Sequence, residues 1–295
     1  MSFREWNIFS TRNAAAKKQF AGIRERTNWL HLFCRERKTM PITDSKTGKE
    51  TSFSIEEMVH KTKLMRAYAL TAITCAQSGH PGGSLSAMEI MASLFLSEMR
   101  HDPKNADWEC RDRFFLSKAH AVPALYSALV ESGYHTLEEM VTLRRLGSPF
   151  QGHTDRIKLK GIEMSGGSLG QGFGVAVGCA KAGKIDDKPF RVYVLMGDGE
   201  QQEGSIWEAA MAASNFELDN LVAIVDQNRL QIDGWVDGVM AIDPIAEKYR
   251  AFNWNVIEVD GHRIPEILDA FQKARETNGR PILIVAKTVK GKDVS

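Results

Sequence analysis

The stretch "VLMGDGEQQEGS", residues 194–205, decides how this chain is read. An apolar run (Val192, Val194, Leu195, Met196) ends abruptly in Gly197-Asp198-Gly199, and a helical pattern starts near Gly204. The cheapest reading of an acid between two glycines is a surface turn. A metal–phosphate site explains it better if a second ligand arrives in the right place. Asn228 does so, thirty positions after Asp198 and just past the next apolar run, "NLVAIVD" (220–226). One strand–helix–strand unit is about that long, and adjacent parallel strands lie about 4.8 Å apart. Both side chains can therefore reach one point above a sheet.

Asp198, Asn228 and a backbone carbonyl from the turn at Leu230 make a set of hard oxygen donors. Such a set suits Mg²⁺, which takes octahedral geometry and keeps phosphate oxygens and water in its shell; Ca²⁺ or Mn²⁺ would be accommodated by the same donors. Gly199 lets the backbone approach a phosphate closely, and the helix from Gly204 presents its N-terminal dipole. Two rival motifs fail. "GCAKAGKI" (178–185) puts Ile185 where a phosphate-binding loop needs Ser or Thr, and it lies at a helix end. "GQGFG" (170–174) misplaces the third glycine of a dinucleotide fingerprint and follows no long strand.

Outward from this stretch the pattern alternates. Strand 190–196 is followed by helix 204–217, strand 220–226, helix 243–252, strand 255–260, helix 264–277 and strand 281–287. That order means an α/β fold with a mostly parallel sheet covered on both faces. Ligands in such sheets sit at the carboxyl ends of the strands, where Asp198 and Asn228 are. Upstream, a helix is expected over 54–77 with Ser54 and Glu57 as a capping box. The loop "SGHPGGS" (78–84) and a second helix carrying Leu85, Met88, Met91 and Phe95 follow. A short strand at 113–117, helices at 123–133 and 137–146, and a small-residue helix entered through 163–172 complete the pass.

Hydrophobic residues are 43% and charged residues 25% of 295, ordinary for a globular protein. The net charge of +1 gives no reason to expect a nucleic-acid or membrane-surface binder. No apolar run is long enough to span a bilayer. Cys34, Cys75, Cys110 and Cys179 have no zinc or CxxC spacing, which fits reduced thiols in a cytoplasmic protein. Residues 1–50 hold eleven bases and five acids, +6 against −5 for the rest. Residues 1–53 thus read as a basic N-terminal extension, helical or partly disordered, and 54–295 as the functional domain. A targeting peptide is disfavoured by the acids and by the lack of a Ser-rich pattern; a surface extension, or a true start at Met40, is preferred.

With "SGHPGGSLSAMEI", "RFFLSKAHAVPALYSAL", "GGSLGQGFGVAVG", "GDGEQQEGSIWEAAMAA" and "DQNRLQIDG" in order, residues 54–295 resemble the amino-terminal, diphosphate-binding half of transketolases. The resemblance implies a three-layer α/β/α thiamine diphosphate-binding fold. It implies that Asp198 and Asn228 ligate Mg²⁺ by side chain and Leu230 by its carbonyl. Gly167, Leu169 and Gly199 would line the diphosphate and thiazolium, with Ile232 near that ring. His80, His120 and His153 match three active-site histidines that handle substrate hydroxyls and the diphosphate end. Glu203 matches a glutamate that links the two active sites of a dimer. Imidazoles near neutrality can give and take protons, which suits these roles. His31, His60, His101, His135 and His262 read as surface or satisfied core residues. The Ala-rich face after Gly204 (Ala209, Ala210, Ala212, Ala213) reads as close helix packing, in the monomer or in a dimer.

The resemblance further implies two-carbon ketol transfer from a ketose, expected to be phosphorylated, to an aldose, as in pentose phosphate metabolism, with unusual sugar phosphates or sulfonates left open as substrates. The pyrimidine-binding domain with its catalytic glutamate is not found before the sequence stops at "KTVKGKDVS". Nor is a further histidine that the family carries in the loop after the last strand. A C-terminal-type partner subunit is therefore expected, in a heterotetramer that self-associates through the helix after Gly204. Two other classes stay open: a thiamine diphosphate lyase or synthase with a 2-oxoacid donor, and a non-catalytic cofactor-binding subunit.

Overall fold

The computed structural model describes residues 53–232 and 234–294. The expectations for residues 1–52, with His31 and Cys34, lie outside the described residues. Five parallel strands form one sheet in the order β1-β2-β3-β7-β6: β1 Arg113–Leu116, β2 Val192–Gly197, β3 Leu221–Gln227, β6 Asn255–Asp260 and β7 Ile282–Lys287. A two-residue hairpin, β4 Leu230–Gln231 with β5 Gly234–Trp235, stands apart from it and leads into the short helix α8 (Val236–Met240).

The central strands are buried on both faces, as their unbroken apolar runs require. Val192, Val194, Met196, Leu221, Ala223, Val225, Leu283 and Val285 point to one side. There they pack against α6 (Gln171–Ile185), α7 (Gly204–Asn215) and α9 (Ile245–Ala251). The alternate residues Tyr193, Leu195, Val222, Ile224, Ile282 and Ile284 are equally buried. On that side lie α1 (Ile55–Ala76), α3 (Met88–Ser93), α4 (Val122–Glu131) and α10 (Ile264–Glu276); Phe271 of α10 meets the Tyr193 ring edge-on at 6.0 Å. The chain steps from β1 to β2 to β3, runs on to the edge strand β6, then turns back to β7. Reversing direction while keeping a right-handed crossover puts α10 on the face opposite α7. Truncating a fully buried member such as Ile224 to Ala would cost about 2–5 kcal/mol.

Helix α1 starts at the expected box: Glu57 N–H donates to Ser54 Oγ and Ser54 N–H to the Glu57 carboxylate. The loop expected over 78–84 is helical from Pro81, as α2 (Pro81–Leu85), because a proline in the first turn needs no N–H of its own. The helix expected from Leu85 through Phe95 is interrupted at Ser86-Ala87 and continues as α3 and a π-helical turn at Leu94–Glu98. Ser86 lies at the break and sends its hydroxyl to Asp226 at 2.6 Å. The helix expected over 137–146 stops after α5 (Leu137–Met140), because Arg144 takes a left-handed conformation (φ 59°) and donates its N–H back to the Phe150 carbonyl. Ala209, Ala210 and Ala213 are buried in the chain's own core, so the Ala-rich face packs within the monomer. "GCAKAGKI" closes α6 as helix, not as a phosphate loop. Cys75, Cys110 and Cys179 are free thiols, and no described helix is long and apolar enough to cross a membrane.

Candidate active site

The register of the sheet builds the first half of the site. Gly197 pairs with Asp226 across β2 and β3, so the two strands deliver their ends side by side. Asp198 follows the first and Asn228 the second, and both are buried. Asp198 Oδ1 accepts from Gly199 N–H at 2.8 Å and Oδ2 accepts from Arg229 N–H. Asn228 Oδ1 accepts from Leu230 N–H at 3.1 Å, and its Nδ2 donates to Asp226 at 3.3 Å. The side chains of Asp198 and Asn228 thus both bond the backbone of the turn 228–230, which also carries the Leu230 carbonyl. A Cβ on Gly199 would stand 3.1 Å from Gln231 Oε1, so a side chain there would press on the neighbouring hairpin.

Burial pushes the Asp198 carboxyl up to about 6, against the two backbone N–H groups that favour its charge. A buried carboxylate in that state calls for a cation. One already leans on the turn: Lys290 Nζ donates to the Leu230 carbonyl at 3.1 Å. Burial lowers the pKa of this ammonium, and Asp198 pulls it back up. One carboxylate, one amide oxygen and one carbonyl are donors for a hard divalent ion. Among the described residues no three His, Cys, Asp or Glu side chains converge as a metal cluster.

The second half is a cluster of imidazoles. His80 precedes α2, His120 sits in the 3₁₀ turn after β1, and His153 lies in a loop. The His80 ring centroid is 5.4 Å from that of His120 and 6.3 Å from that of His153. Burial, with Lys118 and His80 next, takes His120 down to about 4. Burial and then Arg144 lower both His80 and His153. All three are neutral at pH 7, able to donate through one nitrogen and accept through the other. The buried His80 Nδ1 has no hydrogen-bond partner, and an orphaned polar atom at a concave site invites a ligand group. Gly83 permits the approach, since a Cβ there would lie 3.2 Å from His120 Nε2.

Beneath these groups lies a support that sequence reasoning missed. Asp226, fully buried, pairs with the buried Lys118 and accepts from Ser86, Thr288 and Asn228. Burial raises its pKa, but Lys118 and the hydroxyl donors outweigh that and hold it low. Glu200 accepts from Ser117 Oγ, from Gly170 N–H at 2.8 Å and from Gly197 N–H at 2.9 Å. It ties together the loops after β1, before α6 and after β2. Gly170 must be glycine: its φ is +81°, and a Cβ would lie 2.5 Å from Ser205 Oγ. Lys118 stands in "FLSKAH", two residues past β1, and Lys290 in "KTVKGK", three residues past β7, and closeness to the carboxyl end of a strand was the available signal.

The remaining expected residues are less tightly held. Gly167 is exposed and a Cβ there would meet open space, and Leu169 is half-buried in the same loop. Glu203 is exposed at the N-cap of α7, with its Cβ 3.0 Å from where one on Gly170 would stand. Ile232, at the tip of the β4–β5 hairpin, is 94% exposed, and no described contact ties it to the others.

The family model described as transketolase, thiamine diphosphate binding domain matches residues 57–294. The chain belongs to the transketolase family. It is 44% identical over 239 residues to the 6-deoxy-6-sulfo-D-fructose transketolase subunit SqwG of Clostridium sp. (strain MSTE9), covering 81% of this chain and 87% of that one. It is 42% identical over 241 residues to an apulose-4-phosphate transketolase subunit of Phocaeicola vulgatus, covering 82% and 85%. Among solved structures, the transketolase from Leishmania mexicana superposes with a TM-score of 0.77 at 31% identity, over 82% of this chain and 38% of that one. This transketolase chain therefore matches relatives named as subunits over most of their length, and a longer solved transketolase chain over 38% of its length.

Proposed function

We propose that this chain is the diphosphate-binding, amino-terminal subunit of a two-chain transketolase, completed by a second chain that carries a pyrimidine-binding domain. The observation that carries the reading is that Asp198 and Asn228 both bond the turn 228–230, with Lys290 on the Leu230 carbonyl of that turn. Mg²⁺ held there by these oxygens would anchor the diphosphate, with the Lys290 ammonium and Gly199 facing the phosphate oxygens. Thiamine diphosphate, when bound, supplies the carbanion chemistry that breaks and remakes a carbon–carbon bond beside a carbonyl.

This chain's own part is to bind, orient and exchange protons. His80, His120 and His153, neutral at working pH, donate to and accept from the hydroxyl and carbonyl groups of a ketose donor and then of an aldose acceptor. The names of the two subunit relatives, which act on a sulfonated and a phosphorylated sugar respectively, favour donors with an anionic tail. The hairpin and α8 expose Ile232, Trp235, Val239 and Met240 beside the site, a surface for the partner subunit. Val175 and Met211 are exposed on the neighbouring helices α6 and α7, and Gly174 and Gly178 open onto free space. That face would take a second copy of this chain, giving a heterotetramer. The three free thiols fit a cytoplasmic protein.

The test is to isolate the chain with its partner from native lysate in Mg²⁺ and thiamine diphosphate. Two-carbon transfer from a phosphorylated ketose to an aldose is then assayed. Transfer by the complex, lost in Asp198→Ala and nearly absent from the chain alone, is expected. Normal transfer by Asp198→Ala, robust transfer by the pure chain, or release of CO₂ on turnover would each overturn the reading.

A further inference from the structure

The segment after β7 carries Lys290 to the metal turn, and groups outside the site set its course. Thr288 Oγ1 donates to Asp226, and Gly291 N–H donates to the Gly82 carbonyl at 3.0 Å. Between them, Val289 N–H donates to His262 Nε2 at 2.8 Å. Since Nε2 accepts, the ring hydrogen must sit on Nδ1, which faces the Glu89 carboxylate at 3.0 Å. Glu89, buried in α3, also accepts from the buried Arg66 guanidinium at 2.8 Å. Arg66 Nε in turn faces Asp293 at 3.5 Å. One carboxylate thereby holds the segment at Val289 through His262, while its other partner, Arg66, stands within ion-pair distance of Asp293 without a hydrogen bond from Nε.

Apolar packing cannot do this work, because the Val289 side chain is 59% exposed. The Lys290 stem has little lateral room: a Cβ on Gly82 would stand 2.9 Å from Lys290 Cγ. The reach of the ammonium therefore depends on where the backbone of residues 289–290 is pinned. No described contact links His262 to Asp198, Asn228 or the three clustered histidines. It reads as a satisfied histidine, yet what satisfies it is the segment next to a site cation.

We propose that Glu89 and His262 are positioning residues that fix the Val289–Lys290 segment and so aim the Lys290 ammonium at the bound diphosphate. The last step rests on the cofactor reading above; the first does not.

The test uses the full chain, with His262→Ala and with His262→Gln, whose amide can still accept from Val289 and donate to Glu89. Two readouts need no cofactor: hydrogen–deuterium exchange of the peptide spanning 288–291, and the rate of Lys290 acetylation followed by mass spectrometry. Loss of one hydrogen bond should speed both about fivefold or more in His262→Ala, less in His262→Gln, with exchange in α7 unchanged. Added Mg²⁺ and thiamine diphosphate should then slow Lys290 acetylation in the wild type, and less in His262→Ala. Unchanged exchange and acetylation in His262→Ala, or a rise spread equally over α7, would overturn the positioning role. Failure of Mg²⁺ and thiamine diphosphate to protect wild-type Lys290, with the variants behaving as expected, would instead overturn the aim at the diphosphate and leave the pinning intact.

Discussion

Asp198 should destabilise the metal-free protein, and replacing it with Asn should stabilise that state while destroying its use. The carboxyl sits at about 6 in the folded chain against an ordinary 3.8. At about 1.36 kcal/mol per pH unit, ionising it at neutral pH costs the folded state roughly 3 kcal/mol. The folded state binds more protons than the unfolded state between pH 3.8 and about 6, so this contribution falls as pH rises through that window and is flat above it. Asn removes the charge and keeps the shape. Its Oδ1 can accept from one of the two backbone N–H groups now on the carboxylate, and losing the other costs about 1 kcal/mol. The net gain is roughly 2 kcal/mol at pH 7.5 and near zero at pH 4.

The assay is urea unfolding of the wild type and Asp198→Asn in EDTA at both pH values. With a slope of about 3 kcal/mol/M the midpoint should rise by roughly 0.5–1 M at pH 7.5 only. Comparing the two proteins is essential, because His120 works in the opposite sense. Its folded pKa of about 4, below the ordinary 6.5, makes its contribution rise with pH between those values. The difference between variant and wild type cancels it. An Asp198→Asn protein less stable than the wild type at pH 7.5 without metal, or equally shifted at both pH values, would refute the reasoning. In the wild type Mg²⁺ with thiamine diphosphate should raise the midpoint; in the variant it should not.

Lys118→Met should destabilise by about 3–5 kcal/mol, since it leaves the Asp226 carboxylate buried without its cation; denaturant unfolding reads this. Gly170→Ala should cost about 1–3 kcal/mol by forcing a side chain into a left-handed backbone against Ser205 and Glu203; a thermal melt reads it. His120 should titrate near pH 4 by ¹⁵N NMR of the metal-free chain, and a value above 6 would contradict its burial beside Lys118. Lys290→Met should weaken binding of Mg²⁺ and thiamine diphosphate at least tenfold by calorimetry on the complex, without shifting the melting temperature of the metal-free protein downward.

The sheet was legible because its signals are local. Strands buried on both faces must be apolar runs, and β2, β3, β6 and β7 start and end within two residues of expectation. The turn was legible because a parallel register places consecutive strand ends together, so spacing alone brought Asp198 to Asn228. The breaks at Ser86 and Arg144 were not, because each is imposed from a distance. Ser86 gives up helix continuity to reach Asp226, 140 residues away. Arg144 turns left-handed, and its guanidinium reaches Ser78 at 2.8 Å. Lys118, Glu200 and Lys290 escaped for a related reason. A lysine or glutamate at a strand end is most often solvated, and only burial reveals one that is committed to a partner.

The same burial explains why the site holds so many groups at unfavourable protonation. Asp198 is held up, the three imidazoles are held down, and the Lys290 ammonium is partly desolvated. Each would be better solvated in water, and together they gather desolvated groups around the turns that follow β1, β2, β3 and β7. A divalent cation on Asp198 and a diphosphate before Lys290 would reverse the sign of both terms. The energy withheld from folding is thus available to binding, and the support beneath, Asp226 with Lys118 and Glu200 with its three donors, keeps the loops from relaxing to recover it.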